Sequence, residues 1–220
     1  MQEPKPVWDG PTRLFHWCVV ALVFACWLTQ HEGWMGWHFD AGYALLTLLL
    51  FRLAWGFVGS ETARFSQFLR SPWHALRHLG ELHRREPDTS VGHNPAGGWM
   101  VVVLLALLGF QVGTGLCAND QADTYGPFAD ALGQHLSDRI TALHALGFTL
   151  IEIAVALHVA AIAVYALVKR HDLVRPMLTG KKTLPAGTPP PRLVSPWRAV
   201  AVLAAAALLV AFVLRRYGAT

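Results

Sequence analysis

The sequence holds three cysteines, Cys18, Cys26 and Cys117, and none of them forms a CxxC or CxxCH pair. That excludes covalent c-type haem attachment and argues against a zinc site. All three lie in or at the ends of apolar runs, where a thiol behaves as a small buried hydrophobe. Charge is also scarce: 15% of the 220 residues are charged and 54% are hydrophobic. Soluble domains carry about 25% charged residues, so the composition excludes an ordinary soluble enzyme and points to a membrane protein. The layout of a cleaved signal is missing as well, because Asp9 and Pro11 precede the first apolar run and no small-residue cleavage site follows it. The first helix is therefore expected to stay in the mature chain.

The apolar residues gather into runs long enough to cross a hydrocarbon core of about 30 Å, which takes roughly 20 helical residues. Four spans are expected at about Leu14 to Leu28, His38 to Val58, Gly98 to Cys117 and Ile140 to Val168, and a fifth at about Ala199 to Leu214. The connection between spans two and three carries Arg64, Arg70, Arg77, Arg84 and Arg85, and that between four and five carries Lys169, Arg170, Arg175, Lys181, Lys182 and Arg192. The stretches after spans one and three, about Thr29 to Trp37 and Ala118 to Asp138, contain neither Lys nor Arg. Basic residues stay on the cytoplasmic side of short loops, so the N-terminus is expected inside. Arg215 and Arg216 at the end of the fifth span conflict with that scheme. The net charge of +4 is explained by the basic loops, whose partner is membrane lipid with an anionic inner leaflet. It does not indicate nucleic acid.

Ionisable groups inside membrane spans are costly and usually functional, which singles out four of the eleven histidines. His16, His144 and His158 lie within apolar runs and His38 opens one. His31, His74, His78, His83, His135 and His171 fall in loops or at surfaces and are expected to be solvated. His144 and His158 are 14 residues apart, which returns them to within roughly 40° of one helix face but separates them by about 21 Å along the axis. One metal ion cannot bridge that distance; two centres at different depths can use it. With alternating helix directions, His16 shares the cytoplasmic half with His158, and His38 shares the outer half with His144. Two cross-helix His/His pairs suit bis-imidazole ligation of a flat macrocycle.

Several stretches carry a family likeness: WDGPTRLFHW at Trp8 to Trp17, HFDAGYALLTLLLFRLAWGFVGSETARF at His38 to Phe65, GHNPAGG at Gly92 to Gly98, and the later His-x13-His with LVRPMLTGKK at Leu173 to Lys182. Together, over about residues 7 to 182, they resemble the bacterial cytochrome b561 family, which shares its domain with the cytochrome b subunits of nickel-iron hydrogenases. The resemblance implies an all-α integral membrane fold in which four transmembrane helices hold two haem b groups. It places the axial iron ligands at His16, His38, His144 and His158. It also implies a bacterial inner membrane and transfer of electrons to or from quinone. The segment after Pro185 departs from the family's minimal form, so residues 183–198 read as an extended, mobile Pro-rich linker before a C-terminal helix at 199–216.

Haem propionates are anions and need cations or donors near a membrane face. Arg52, 14 residues after His38 and so about 21 Å along the helix, is a candidate for a propionate or quinone contact, as is Arg13, one turn before His16. His93 is either a turn residue or a neighbour of a quinone site. The loop Ala118 to Asp138 holds Asp120, Asp123, Asp130 and Asp138 with no basic residue, a rim suited to a positively charged redox partner such as a c-type cytochrome. An electron carrier, the membrane anchor of a hydrogenase-like oxidoreductase and a superoxide:quinone oxidoreductase all use such a frame. A colourless metal or proton transporter would use the same histidines without haem. Nothing in the sequence excludes a homodimer.

Overall fold

The computed structural model describes residues 2–80, 90–120 and 124–217; His83, Arg84, Arg85 and Asp123 lie outside them. Five helices are long and apolar enough to cross a membrane: α1 (Gly10–His31), α2 (Met35–Val58), α3 (Pro95–Gly115), α4 (Gln134–Leu167) and α5 (Pro196–Tyr217). Two short strands, β1 (Gln2–Pro6) and β2 (Lys181–Pro185), pair antiparallel with Gln2 opposite Pro185 and Pro6 opposite Lys181. In the most apolar stretch of α4 only 17% of residues are buried, and Leu157 on α4 and Phe212 on α5 are exposed. Side chains of that kind are compatible with lipid and would be a liability in water.

The helices start earlier than their hydropathy suggests. The carbonyl of Asp9 accepts from Arg13 N at 3.2 Å and its Oδ1 accepts from Thr12 N at 2.8 Å, an N-cap that begins α1 four residues before Leu14. In α4 the polar turn before Ile140 is helical because Gly133, at φ +74°, ends the preceding short helix Ala129–Leu132 and Ser137 turns inward. Ser137 Oγ donates to Cys117 O at 2.8 Å, a bond that a hydropathy profile cannot register.

The chain divides into two compact units. The first comprises Met1–Phe15, Arg52–Val103 and Ala154–Val200. Its sheet is anchored at Gly180, whose carbonyl accepts from Val7 N at 2.8 Å and Trp8 N at 3.2 Å. Gly180 is at φ +80°, and a Cβ there would lie 2.9 Å from Trp8 O, so glycine is needed for both conformation and space. Trp55 is fully buried, and its indole Nε1 donates to Asp9 Oδ2 at 3.1 Å. The Pro-rich stretch is tethered and not free-running. Residues 181–185 are strand, Lys5 Nζ donates to Thr188 O, Arg192 N donates to Glu61 Oε2 at 2.8 Å and Val194 N to Ser60 Oγ at 3.0 Å. The expected mobility overlooked these side chains, which lie far away in sequence.

The second unit comprises His16–Phe51, Leu104–Ile153 and Ala201–Thr220. Its core is Leu45, Leu49, Leu108, Val112 and Ile151. The connection after α3 folds back on itself through Gly126 N to Ala118 O at 2.7 Å and Phe128 N to Leu116 O at 2.9 Å. Asn119 is pinned by its Nδ2 donating to Ser137 Oγ at 2.6 Å and Asp138 Oδ1 at 3.0 Å.

Asp9 both caps α1 and accepts a buried indole, so Asp9→Ala removes two bonds at once. We predict a loss of about 2 kcal/mol, read as a lower thermal midpoint in detergent by circular dichroism. An unchanged midpoint would remove Asp9 from this role.

Candidate functional site

The site in the second unit is built around two imidazoles. His38 stands in the first turn of α2, with its Nδ1 2.9 Å from Cys26 O. His144, on α4, has its Nδ1 2.9 Å from Gln111 O and 3.1 Å from Thr114 Oγ1. A carbonyl only accepts, so each Nδ1 must carry the proton and each Nε2 keeps its lone pair. Metal-binding histidines are commonly held in this way, with the far ring nitrogen donating to a carbonyl that fixes the ring's orientation. The two ring centres are 6.3 Å apart with planes at 81°. Two imidazoles sharing one metal at bond lengths of about 2 Å put their ring centres about 6 Å apart.

The rings border a cavity of about 460 Å³ with an apolar interior, lined among others by Leu45, Val112, Phe148 and Ile151, and with polar residues such as Asn119 and Thr124. No Lys or Arg lines it. Its size falls in the range of small-molecule and cofactor sites. Gly42 contributes open space, with nothing within 4 Å of where a Cβ would stand. Gly115 contributes a close approach, since a Cβ there would lie 2.9 Å from His144 Cε1. Among the described residues no group of three or more His, Cys, Asp or Glu could hold a metal ion. Two nitrogen donors facing an apolar cavity do not make a closed structural metal site, but His38 and His144 would suit an iron whose other ligands come from a macrocycle. Gln111 adds its side-chain Nε2, 3.2 Å from His144 Nε2, a neighbour the sequence analysis did not single out. The signal was available in its place, as a lone amide inside the third apolar run.

His16 also belongs to the second unit, where its ring packs edge-on against Trp17 at 4.8 Å. His158, half-buried on α4, belongs to the first unit, together with Arg13, Arg52 and His93. Arg13 Nη1 donates to Leu178 O at 2.5 Å. Arg52 is only 2% exposed, and its guanidinium lies over the Phe65 ring at 5.0 Å. His93 sits between Trp8, at 4.6 Å, and Phe68, at 4.7 Å. Burial, and then the charges of Arg52 and His158, lower its pKa to about 3, so the ring is neutral at physiological pH. It is a buried residue and not an ordinary turn position. Its neighbour Asn94 holds the loop, with Oδ1 accepting from Gly97 N at 2.7 Å and Nδ2 donating to the Tyr165 hydroxyl at 2.8 Å.

The expectation of solvated histidines needs two corrections, at His78 and at His171, which is also half-buried. His78 is half-buried, with Nε2 2.7 Å from the Tyr165 hydroxyl, because the helix Pro72–Gly80 turns that side chain inward. His74 and His135 are exposed, as is His31, which stacks on Trp27 at 5.9 Å.

Apolar spanning helices and a pair of imidazoles with pinned Nδ1 atoms define a membrane cytochrome of the b type. The chain belongs to the prokaryotic cytochrome b561 family, whose profile matches residues 7–180. It is 25% identical over 211 residues to a probable Ni/Fe-hydrogenase B-type cytochrome subunit of Rhizobium leguminosarum bv. viciae, covering 80% of this chain and 87% of the relative. It is 24% identical over 213 residues to a protein of the same name from Rhodobacter capsulatus, covering 80% of each. No solved structure matches the chain.

The contact at Gly115 gives a direct test. Gly115→Val pushes a side chain into the His144 ring and is predicted to lower the haem content of purified protein, since displaced ligand shells weaken metal affinity by about 10–100-fold. Full haem content in that variant would contradict the site.

Proposed function

We propose that this protein moves electrons across the bacterial inner membrane, between quinone dissolved in the bilayer and a redox protein at the outer surface, with its N-terminus in the cytoplasm. The observation that carries the reading is the His38–His144 pair, 6.3 Å apart on the wall of an apolar cavity. Two haem b groups would complete it, with His16, His38, His144 and His158 as the residues that would hold their irons. When bound, haem supplies the one-electron iron couple that no side chain of the chain can provide.

The residues have separate tasks. The carbonyls of Cys26 and Gln111 hold the Nδ1 protons of His38 and His144 and so keep both rings in the ligating tautomer. The apolar cavity wall excludes water, which helps to set the potential. Arg13 and Arg52 are the cations at hand for the acidic groups of the second cofactor. At the outer surface Asp120, Asp130 and Asp138 stand without a basic residue until Arg139, which favours docking of a positively charged partner such as a c-type cytochrome.

The names of the two relatives favour a second reading of the partner. In that reading the chain anchors a hydrogenase-like oxidoreductase and takes its electrons from a tightly bound subunit. Co-purification of such a subunit at fixed stoichiometry separates it from the free carrier.

The cofactor assignment is tested by reduced-minus-oxidised visible spectra with a pyridine haemochrome count. Wild type is expected to hold two b haems per chain. His144→Ala and His158→Ala are each expected to lose a different one of two spectral components, and His38→Ala to lose the same component as His144→Ala. Well-folded protein without haem would overturn the reading.

A further inference from the structure

The first unit contains a buried positive charge that makes no salt bridge among the described residues. Arg52 is 2% exposed, and its Nη1 is buried without a hydrogen bond. The single ion pair among the described residues joins Lys5 to Glu3. Asp9, whose charge reaches Arg52, has both oxygens engaged, one by Thr12 N and one by the Trp55 indole. The Phe65 ring beneath the guanidinium offsets part of the lost hydration. It leaves Nη1 unsatisfied, and a buried cation without a directly bonded anion is unfavourable.

A second orphan lies in the same neighbourhood. His93 Nδ1 is buried without a hydrogen bond, in a ring clamped between Trp8 and Phe68. A run of rings links the two orphans, Arg52 lying over Phe65 at 5.0 Å, Phe65 meeting Phe68 at 5.7 Å and Phe68 meeting His93 at 4.7 Å, and the charges of both Arg52 and His158 act on His93. A neutral imidazole offers one N–H donor. A guanidinium and an N–H donor, both lacking acceptors and both near a candidate haem ligand, call for one anion with two oxygens. A quinone carbonyl can accept a hydrogen bond but does not neutralise the guanidinium, and at 2% exposure a lipid headgroup has no access to it.

We infer that Arg52 and His93 form a two-point clamp for a carboxylate of the haem bound at His158. The inference rests on the two-haem reading proposed above and adds His93 to its binding residues. The clamp does more than hold the carboxylate. A cation paired with it favours the reduced iron, so the clamp raises that haem's potential, and the cavity of the second unit, which no Lys or Arg lines, lacks such a device.

The test is an equilibrium redox titration of full-length protein in detergent, followed in the visible, with a haem count for each variant. Arg52→Gln is expected to lower the midpoint potential of one component, the one missing in His158→Ala, and to leave the other component unmoved as an internal control of folding. Arg52→Lys is expected to restore most of the shift. His93→Phe keeps the packing and removes the donor, and should move the same component in the same direction by less. Two haems with unchanged potentials in both Arg52→Gln and His93→Phe would overturn the clamp and leave the two-haem reading standing; if those variants also lost quinone reduction, a quinone contact would replace it. Wild type without haem would overturn both.

Discussion

A ring nitrogen enclosed by apolar helices has no water to bond, so it must find a fixed partner within the protein. In His38 and His144 that partner is a backbone carbonyl, Cys26 O and Gln111 O respectively. The backbone therefore decides the tautomer, and the tautomer leaves the lone pair of each ring on Nε2, where that of His144 accepts from the Gln111 amide at 3.2 Å. Much else in the second unit serves this arrangement. Gly115 leaves room for the His144 ring, and Thr114 braces it from one side. Leu45, Val112 and Ile151 belong both to the core and to the cavity wall.

The first unit solves a different problem, that of carrying polar groups where helices end and loops begin. Asp9 connects the start of α1 to Trp55 on α2, and Gly180 receives the chain leaving β1. Tyr165 ties α4 to Asn94 and His78. Arg52 Nη1 and His93 Nδ1, by contrast, are buried without a hydrogen bond, as are Thr12 Oγ1 and Arg13 Nε.

The spans were plain in the sequence because a lipid-facing helix has to be apolar over its whole length. Their ends were not, since Asp9 and Ser137 act through hydrogen bonds and hydropathy treats them as breaks. Counting depth along alternating helices was enough to set His38 beside His144. The pairing of β1 with β2 was not legible: QEPKP has two prolines and no alternation, and its register depends on the turn at Gly180, some 175 residues away. His93 was passed over for a similar reason. A histidine between glycine and asparagine looks like a turn residue until Trp8 and Phe68 close over it.

The proposed binding of two irons by four histidines is examined most directly by electron paramagnetic resonance of the oxidised wild-type protein, calibrated by haem content. The proposal predicts two haems per chain, both low-spin. A single haem, or a substantial high-spin signal from an iron lacking its second histidine, would contradict it.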